Sequence, residues 1–216
     1  MKYEITDIAH PNSPKLFRIR ALVDITSIGV KAGDLGGYVE SEHNLSHEGN
    51  CWVSANARVY GNATVYGNAQ VYRNSRVYGN ARVYGYAKVF GNARVYGYAK
   101  VFGNARVYGN SRVYGNAIVY GDSQVFGNAW AGVNAQVSEN AQMFDNAKVF
   151  GNARVYGNAR VFGDAWAGGN ATVYRDAQVY GDARVTTKAH KNMQITGIWD
   201  EAAYLEWFFT HERQTA

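Results

Sequence analysis

The sequence predicts an all-β protein in which many short strands stack on one another, and three observations support this. An apolar residue recurs every six positions, without a slip, at 23 positions from Val53 to Val185. A small residue, Ala or Ser, follows each of them four positions later. Gly and aromatic residues are abundant, whereas proline occurs only twice in 216 residues. Such a composition suits strands joined by tight turns.

The repeating unit, Val-Tyr-Gly-Asn-Ala-Arg, predicts one short strand and one corner. Val is β-branched and suits a buried strand, so we expect Val95 and Val107 inside the core. The residues on either side of each Val point outward, because side chains alternate along a strand. Gly-Asn suits a corner, since both residues tolerate left-handed backbone, and we expect Asn92 and Asn104 in that conformation. No strand buries its valine alone, so the units must stack.

The flanks of the repeat differ from it, which predicts three regions: 1–48, 49–190 and 191–216. The first region, through its segment 15–38, predicts a β-hairpin or strands that lead into irregular first coils. The second region contains the repeat itself. In the third, residues 200–213 predict a helix that Asp200 caps and that covers the open end of the stack.

The repeat resembles that of the hexapeptide left-handed parallel β-helix proteins, in which three hexapeptides form one triangular coil. The resemblance covers residues 53 to about 190 and implies seven to eight coils, with residues 18 apart stacked on one face. Segments 31–39 and 49–53 are similar to phage- and prophage-borne hexapeptide-repeat proteins, which are often labelled transferases from the repeat alone. A shared fold does not establish an activity.

The composition indicates the cellular location of the protein and the charge of its partners. The single cysteine, Cys51, excludes a disulfide within the chain. No apolar run approaches the ~20 residues of a membrane helix. We therefore expect a soluble, cytoplasmic protein without a membrane partner, located in the host cytoplasm if it is phage-borne. The net charge of +5 is compatible with anionic partners.

A repeated irregularity predicts a ligand site on one face. The motif Phe-Gly-Asn-Ala-Trp-Ala-Gly at 126–132 recurs two coils later, at 162–168, with Asp in place of Asn. In each copy Trp replaces the outward Arg, and Gly replaces the outward aromatic residue. We predict a notch for a planar, anionic ligand, lined by Trp130, Gly132, Lys148, Phe150, Trp166, Gly168 and Arg112. Alternatively, the tryptophans only cover the gaps that the glycines leave.

Stacked cations form a second candidate site. No acidic residue lies between Glu48 and Asp122, whereas nine basic residues fall in that stretch. Arg58, Arg76 and Arg94 stack on one face and predict a track that binds anions. The alternative is a solvated surface in which arginines stack on tyrosines.

The third face is the most apolar and predicts self-association. Its phenylalanines lie beside uncharged glutamines, a composition that interface cores favour. The predicted interface contains Phe126, Phe144, Phe162, Gln124 and Gln142. We expect a homo-oligomer, and the resemblance implies a trimer. The alternative is an aromatic ladder that only reinforces neighbouring strands.

The resemblance also implies an acyl-CoA-dependent acyltransferase, which needs a histidine base within reach of its substrate. Residues 53–189 contain no histidine. The candidates are therefore His43, His47 and His190, and we predict neither a metal site nor a cofactor. We favour a non-enzymatic binding or scaffold protein that sequesters an anionic aromatic small molecule such as a nucleotide. The acyltransferase is the alternative, and a DNA-binding or structural assembly module is the third possibility.

Overall fold

The protein is a parallel β-solenoid of about nine turns, and its walls are sheets of twelve, nine and eight strands. The computed structural model describes residues 1–189 and 193–211. The sequence predicts seven to eight coils. The stack is longer because residues 35–39 and 194–199, outside the regular repeat, pair with it at its two ends.

The twelve-stranded sheet begins with three longer strands, β1 (Tyr3–His10), β2 (Ser13–Ala21) and β3 (Leu35–Val39). Strands β1 and β2 form an antiparallel hairpin that the sequence does not predict, and the antiparallel pair within segment 15–38 is β2 with β3. Strand β3 pairs antiparallel with β2 and parallel with Arg58–Val59, the first repeat strand of this sheet, so the hairpin is continuous with the solenoid. The sheet continues through Arg58–Val59, Arg76–Val77, Arg94–Val95, Arg112–Val113, Trp130–Ala131, Lys148–Val149, Trp166–Ala167, Arg184–Val185 and Ile198–Trp199.

The other two sheets contain only two-residue parallel strands. The nine-stranded sheet contains Trp52–Val53, Gln70–Val71, Lys88–Val89, Arg106–Val107, Gln124–Val125, Gln142–Met143, Arg160–Val161, Gln178–Val179 and Gln194–Ile195. The eight-stranded sheet contains Thr64–Val65, Arg82–Val83, Lys100–Val101, Ile118–Val119, Gln136–Val137, Arg154–Val155, Thr172–Val173 and Lys188–Ala189. In each sheet a residue pairs with the residue one turn away, which in the regular repeat is 18 positions along the chain.

The core is a column of valine and small side chains. Val95 and Val107 are fully buried, as the sequence predicts, and so is the small residue of each unit. Full burial of one valine contributes roughly 1.5–3 kcal/mol. Because each strand supplies one such residue, the apolar stabilisation is distributed evenly along the stack.

The left-handed residue of a corner stands at the glycine position of the repeating unit, and here one sequence prediction is wrong. Gly91 and Gly103 have φ angles of 72° and 69°, whereas Asn92 and Asn104 have negative φ. The position in the corner decides this, because Arg73 and Asp145, which replace glycine before an asparagine, also have positive φ. Glycine fits the position with the least strain, since a Cβ on Gly91 would lie 2.9 Å from the Gly109 nitrogen. The asparagines instead form ladders along the corners, in which the side-chain amide of Asn92 donates to Asn110 at 3.0 Å.

Short helices complete the fold. Two 3-10 helices, Thr26–Ile28 and Glu42–Asn44, lie in the N-terminal region. Helix α1 spans Glu201–His211, and the Asp200 side chain accepts a hydrogen bond from the Ala203 nitrogen at 3.0 Å. Trp207 packs against the core cluster, so α1 lies against the end of the solenoid. None of the helices in the described ranges is long and apolar enough to cross a membrane.

Candidate functional site

The outward side chains of the twelve-stranded sheet form a row of positive charge. Each strand of the repeat places one residue outward beside its buried valine or alanine. Successive strands pair in register, so these side chains stack in one column. We call this the cationic column; it contains Arg58, Arg76, Arg94, Arg112, Lys148 and Arg184. The predicted anion track is its first half, and the two tryptophans of the predicted notch interrupt the second half.

The charges of this column are not neutralised within the described part of the chain. The salt bridges there are Arg20–Glu4 and Lys31–Asp24, and both lie in the N-terminal region. Nor do Arg58, Arg76 and Arg94 lie over an aromatic ring within the described ranges, although Arg112 does. Stacked cations this close repel each other unless a counter-charge is near. The predicted stacking of arginine on tyrosine therefore does not account for this track.

Trp130 is held between two cations of the column. The guanidinium carbon of Arg112 lies 4.6 Å from the centroid of the indole ring, and the Lys148 Nζ lies 5.5 Å from it. The parallel register explains the arrangement, because Arg112, Trp130 and Lys148 are direct neighbours on successive strands. Cation–π contacts of this kind contribute roughly 0.5–1 kcal/mol at exposed positions. This tryptophan thus has partners within the chain on both sides.

The two glycines of the predicted notch do not leave free space above them. A Cβ on Gly132 would overlap the Tyr114 ring, so the tyrosine ring already covers this glycine. A Cβ on Gly168 would lie 2.6 Å from the Trp166 Cζ2, so the indole ring of Trp166 covers this glycine. The alternative that the tryptophans cover the gaps describes Gly168, whereas at Gly132 the covering ring is that of Tyr114. Gly132→Tyr would therefore require the Tyr114 ring to move away from its present position.

Part of the predicted site nevertheless forms a cleft of about 320 Å³ at the C-terminal half of the column. Lys148, Phe150 and Trp166 are the predicted residues that line it, together with Asp164 and Arg184. The Phe150 and Trp166 rings lie 4.9 Å apart at an angle of 51°. The cleft therefore combines two aromatic walls with two exposed cations. Trp130, Gly132, Gly168 and Arg112 do not line it.

Two residues of the cleft were missed by the sequence prediction. Arg184 pairs in register with Trp166, so the 18-residue offset that placed Lys148 could also have found it. Asp164 accepts a hydrogen bond from the Asn146 side-chain amide at 2.9 Å. Its carboxylate closes one side of the cleft and reduces the positive charge there.

The candidate histidine bases are separated in the structure. His43 is exposed and lines a cleft of about 530 Å³ with Thr64 and Arg82. His47 stacks on Tyr3 with 4.3 Å between ring centroids, and its Nδ1 accepts a hydrogen bond from the Lys2 backbone nitrogen. The Nε2 of His47 is buried, and the residue lines another cleft, of about 350 Å³, with Asp24 and Glu48. His190 lies outside the described residues.

The predicted interface residues form a continuous ladder on the nine-stranded sheet. Phe126 and Phe144 stack at 5.1 Å, and Phe144 and Phe162 at 4.8 Å, with nearly parallel planes. Gln124 and Gln142 pair in register beside them, and all five side chains are half-buried. The rings cover one another, as reinforcing ladders do. Self-association through this face stays a prediction.

The comparison with known families agrees with the solenoid. Six segments of the chain are similar to the YdcK beta solenoid repeat. The matched segments are residues 57–73, 75–89, 99–113, 111–127, 153–169 and 177–190. The stretch 128–152, which contains Trp130, Gly132 and Lys148, lies between matched segments. No curated protein matches the chain. The left-handed coil and the likeness to phage proteins stay predictions.

Proposed function

We propose that this protein is a non-enzymatic binding protein that sequesters an anionic aromatic small molecule such as a nucleotide. The observation that supports it best is the cleft formed by Lys148, Phe150, Trp166 and Arg184. A planar ring stacking on the Phe150–Trp166 pair would contribute roughly 1–3 kcal/mol. The two cations lie one strand on either side of Trp166 and would pair with phosphate groups. The glycines play no part in this version of the site.

The absence of a placed base supports binding over catalysis in the described part of the chain. Acyl transfer requires a base within about 3 Å of the attacking group. The Nδ1 of His47 is already hydrogen-bonded and its Nε2 is buried, and His43 lies on a different face from the aromatic cleft. Among the described residues, His43 in its cleft of about 530 Å³ is therefore the more accessible candidate base for the acyltransferase alternative. Acetyl-CoA raising the melting temperature, with a nucleotide having no effect, would favour it.

Calorimetric titration with a nucleoside triphosphate, in buffer without divalent cations, tests the binding proposal. We expect Trp166→Ala and Lys148→Gln each to weaken binding at least tenfold. Tyr86→Ala is the matched control, because Tyr86 is an equally aromatic but exposed corner residue outside the cleft. Unchanged affinity in both cleft variants, or equal losses in the control, would contradict the proposal.

Binding to a nucleic-acid backbone is a second candidate, and the length of the cationic column favours it. Six cations lie on one face in register, without ion pairs in the described ranges. A linear polyanion that contacts several of them would bind with a steep salt dependence. A single nucleotide at the cleft would lose only one or two contacts as salt rises. Comparing the salt slopes for a nucleotide and a 20-base single strand separates the two candidates.

A further inference from the structure

The hairpin forms a second cavity with the solenoid, at the opposite end of the cationic column. Residues 13–16, at the start of β2, lie over the first strands of the repeat and enclose a cavity of about 370 Å³ with them. We call it the hairpin pocket. This volume lies within the range of small-molecule sites. None of its lining residues belongs to the Trp166 cleft.

The pocket carries an excess of positive charge. Lys15, Arg58 and Arg76 line it, against one carboxylate, that of Glu40. An oxygen of Glu40 already accepts a hydrogen bond from the Gly61 backbone nitrogen at 2.7 Å. No salt bridge joins Glu40 to any of the three cations. The pocket therefore has the charge to bind a doubly negative group.

Arg58 is the most confined of these cations. Its Nε is buried and has no hydrogen-bond partner among the described residues. Burial, and then the neighbouring charge of Arg76, lower the pKa of the Arg58 guanidinium. Burial, and then the charges of Arg58 and Arg76, lower the pKa of the nearby His10. Two guanidinium groups on adjacent strands would be stabilised by one oxyanion shared between them.

The remaining walls are apolar and aromatic. Pro14 and Leu16 lie on the hairpin side, and Leu16 is buried. Tyr60 lies on the solenoid side and is fixed by stacking on Tyr78, with 5.0 Å between ring centroids. A ligand that fills the cavity must therefore present an apolar or planar body as well as a charge.

We propose that the hairpin pocket binds a phosphate group carried on a small aromatic or apolar body. The phosphate lies between Arg58 and Arg76, with Lys15 closing over it from the hairpin. The organic part lies against Pro14 and Tyr60. Arginine suits this role because its planar donors match phosphate oxygens in pairs. The hairpin pocket shares no lining residue with the proposed nucleotide cleft, so either proposal can be refuted without affecting the other.

Isothermal titration of the full chain with phenyl phosphate, and separately with inorganic phosphate, tests the proposal. We expect phenyl phosphate to bind at least fivefold more tightly than inorganic phosphate. Arg58→Gln and Arg76→Gln should each weaken phenyl phosphate binding at least tenfold. Arg154→Gln is the matched control, because it removes the same charge from a different sheet, and it should change affinity less than twofold. Trp166→Ala should have no effect on this site.

Two further variants change the charge of the pocket at residues outside the repeat, so their effect on binding can be separated from an effect on folding. Lys15→Gln lies on the hairpin, outside the repeat, and should weaken phosphate binding severalfold with an unchanged melting curve. Glu40→Gln should tighten binding, because it removes the only negative charge of the pocket and keeps an acceptor for Gly61. Failure of wild type to bind either compound would overturn the proposal. Equal losses in Arg154→Gln, or weaker binding by Glu40→Gln, would also overturn it.

Discussion

Alanine at two corner glycines separates backbone strain from crowding between turns. Gly61 and Gly109 both have left-handed φ, at 64° and 73°. A Cβ on Gly61 would lie 3.4 Å from Gly79, an ordinary contact, whereas one on Gly109 would lie 2.8 Å from the Gly127 oxygen. Alanine in left-handed backbone costs about 1–2 kcal/mol, and reduced freedom of the unfolded chain offsets about 0.4–1 kcal/mol of this.

Gly61→Ala should therefore reduce the free energy of unfolding by about 1 kcal/mol. Gly109→Ala carries the same strain and adds an overpacking cost of roughly 1–3 kcal/mol, because two rigid backbones must separate. In a chain of this size, 1 kcal/mol shifts the melting temperature by about 2–4 °C. Thermal unfolding followed by circular dichroism should show a loss for Gly109→Ala at least twice that for Gly61→Ala. Equal losses would refute the inference that spacing between turns selects glycine.

Two other predictions concern the core and the Phe face. Val107→Asp should prevent folding, because an unpaired charge would enter a dry core between fully buried neighbours; a soluble variant that melts cooperatively would refute the register. Phe144→Glu should reduce the mass measured by sedimentation velocity to that of a monomer, since a charge would lie in the middle of the predicted interface. A mass equal to that of an oligomeric wild type would show that the subunits meet elsewhere.

The fold could be predicted because each residue of the repeat meets the same surroundings in every turn. Val107 has a valine on the strand before it and another on the strand after it, so the six-residue period alone identifies the core. The corner residue was assigned wrongly for a different reason. Gly and Asn both tolerate left-handed backbone, and the stacked turns place that conformation at the glycine position, whichever residue occupies it. This placement is a property of the assembled solenoid and cannot be deduced from a single unit.

The candidate site was predictable to the extent that it follows the stacking rule. The 18-residue offset placed Arg112, Trp130 and Lys148 next to one another, and their rings and charges are in contact. The same rule could not show that Tyr114 turns over Gly132, because a side chain moves into whatever space its neighbours leave. The notch was therefore predicted larger than it is.

Features of the N-terminal region lay beyond sequence reasoning altogether. The hairpin pocket requires the docking of β2 on the solenoid, and the N-terminal segment has no repeat from which to derive it. The buried Lys2 is similar, because its Nζ donates to the Cys51 carbonyl at 2.8 Å across 49 residues. Such contacts involve residues outside the repeat, so the periodicity of the sequence does not predict them.

All the side-chain hydrogen bonds of an asparagine ladder run in one direction along the solenoid, and this direction determines which bond is lost when an asparagine deamidates. Each amide donates to the residue one turn later, and the run Asn92, Asn110, Asn128, Asn146 ends at Asp164. Aspartate suits a last position because a carboxylate accepts hydrogen bonds but has none to give. Deamidation of Asn128 would create the same terminus early, keeping the bond from Asn110 and losing the one to Asn146. Damage of this kind would therefore always break a ladder on the C-terminal side of the altered residue.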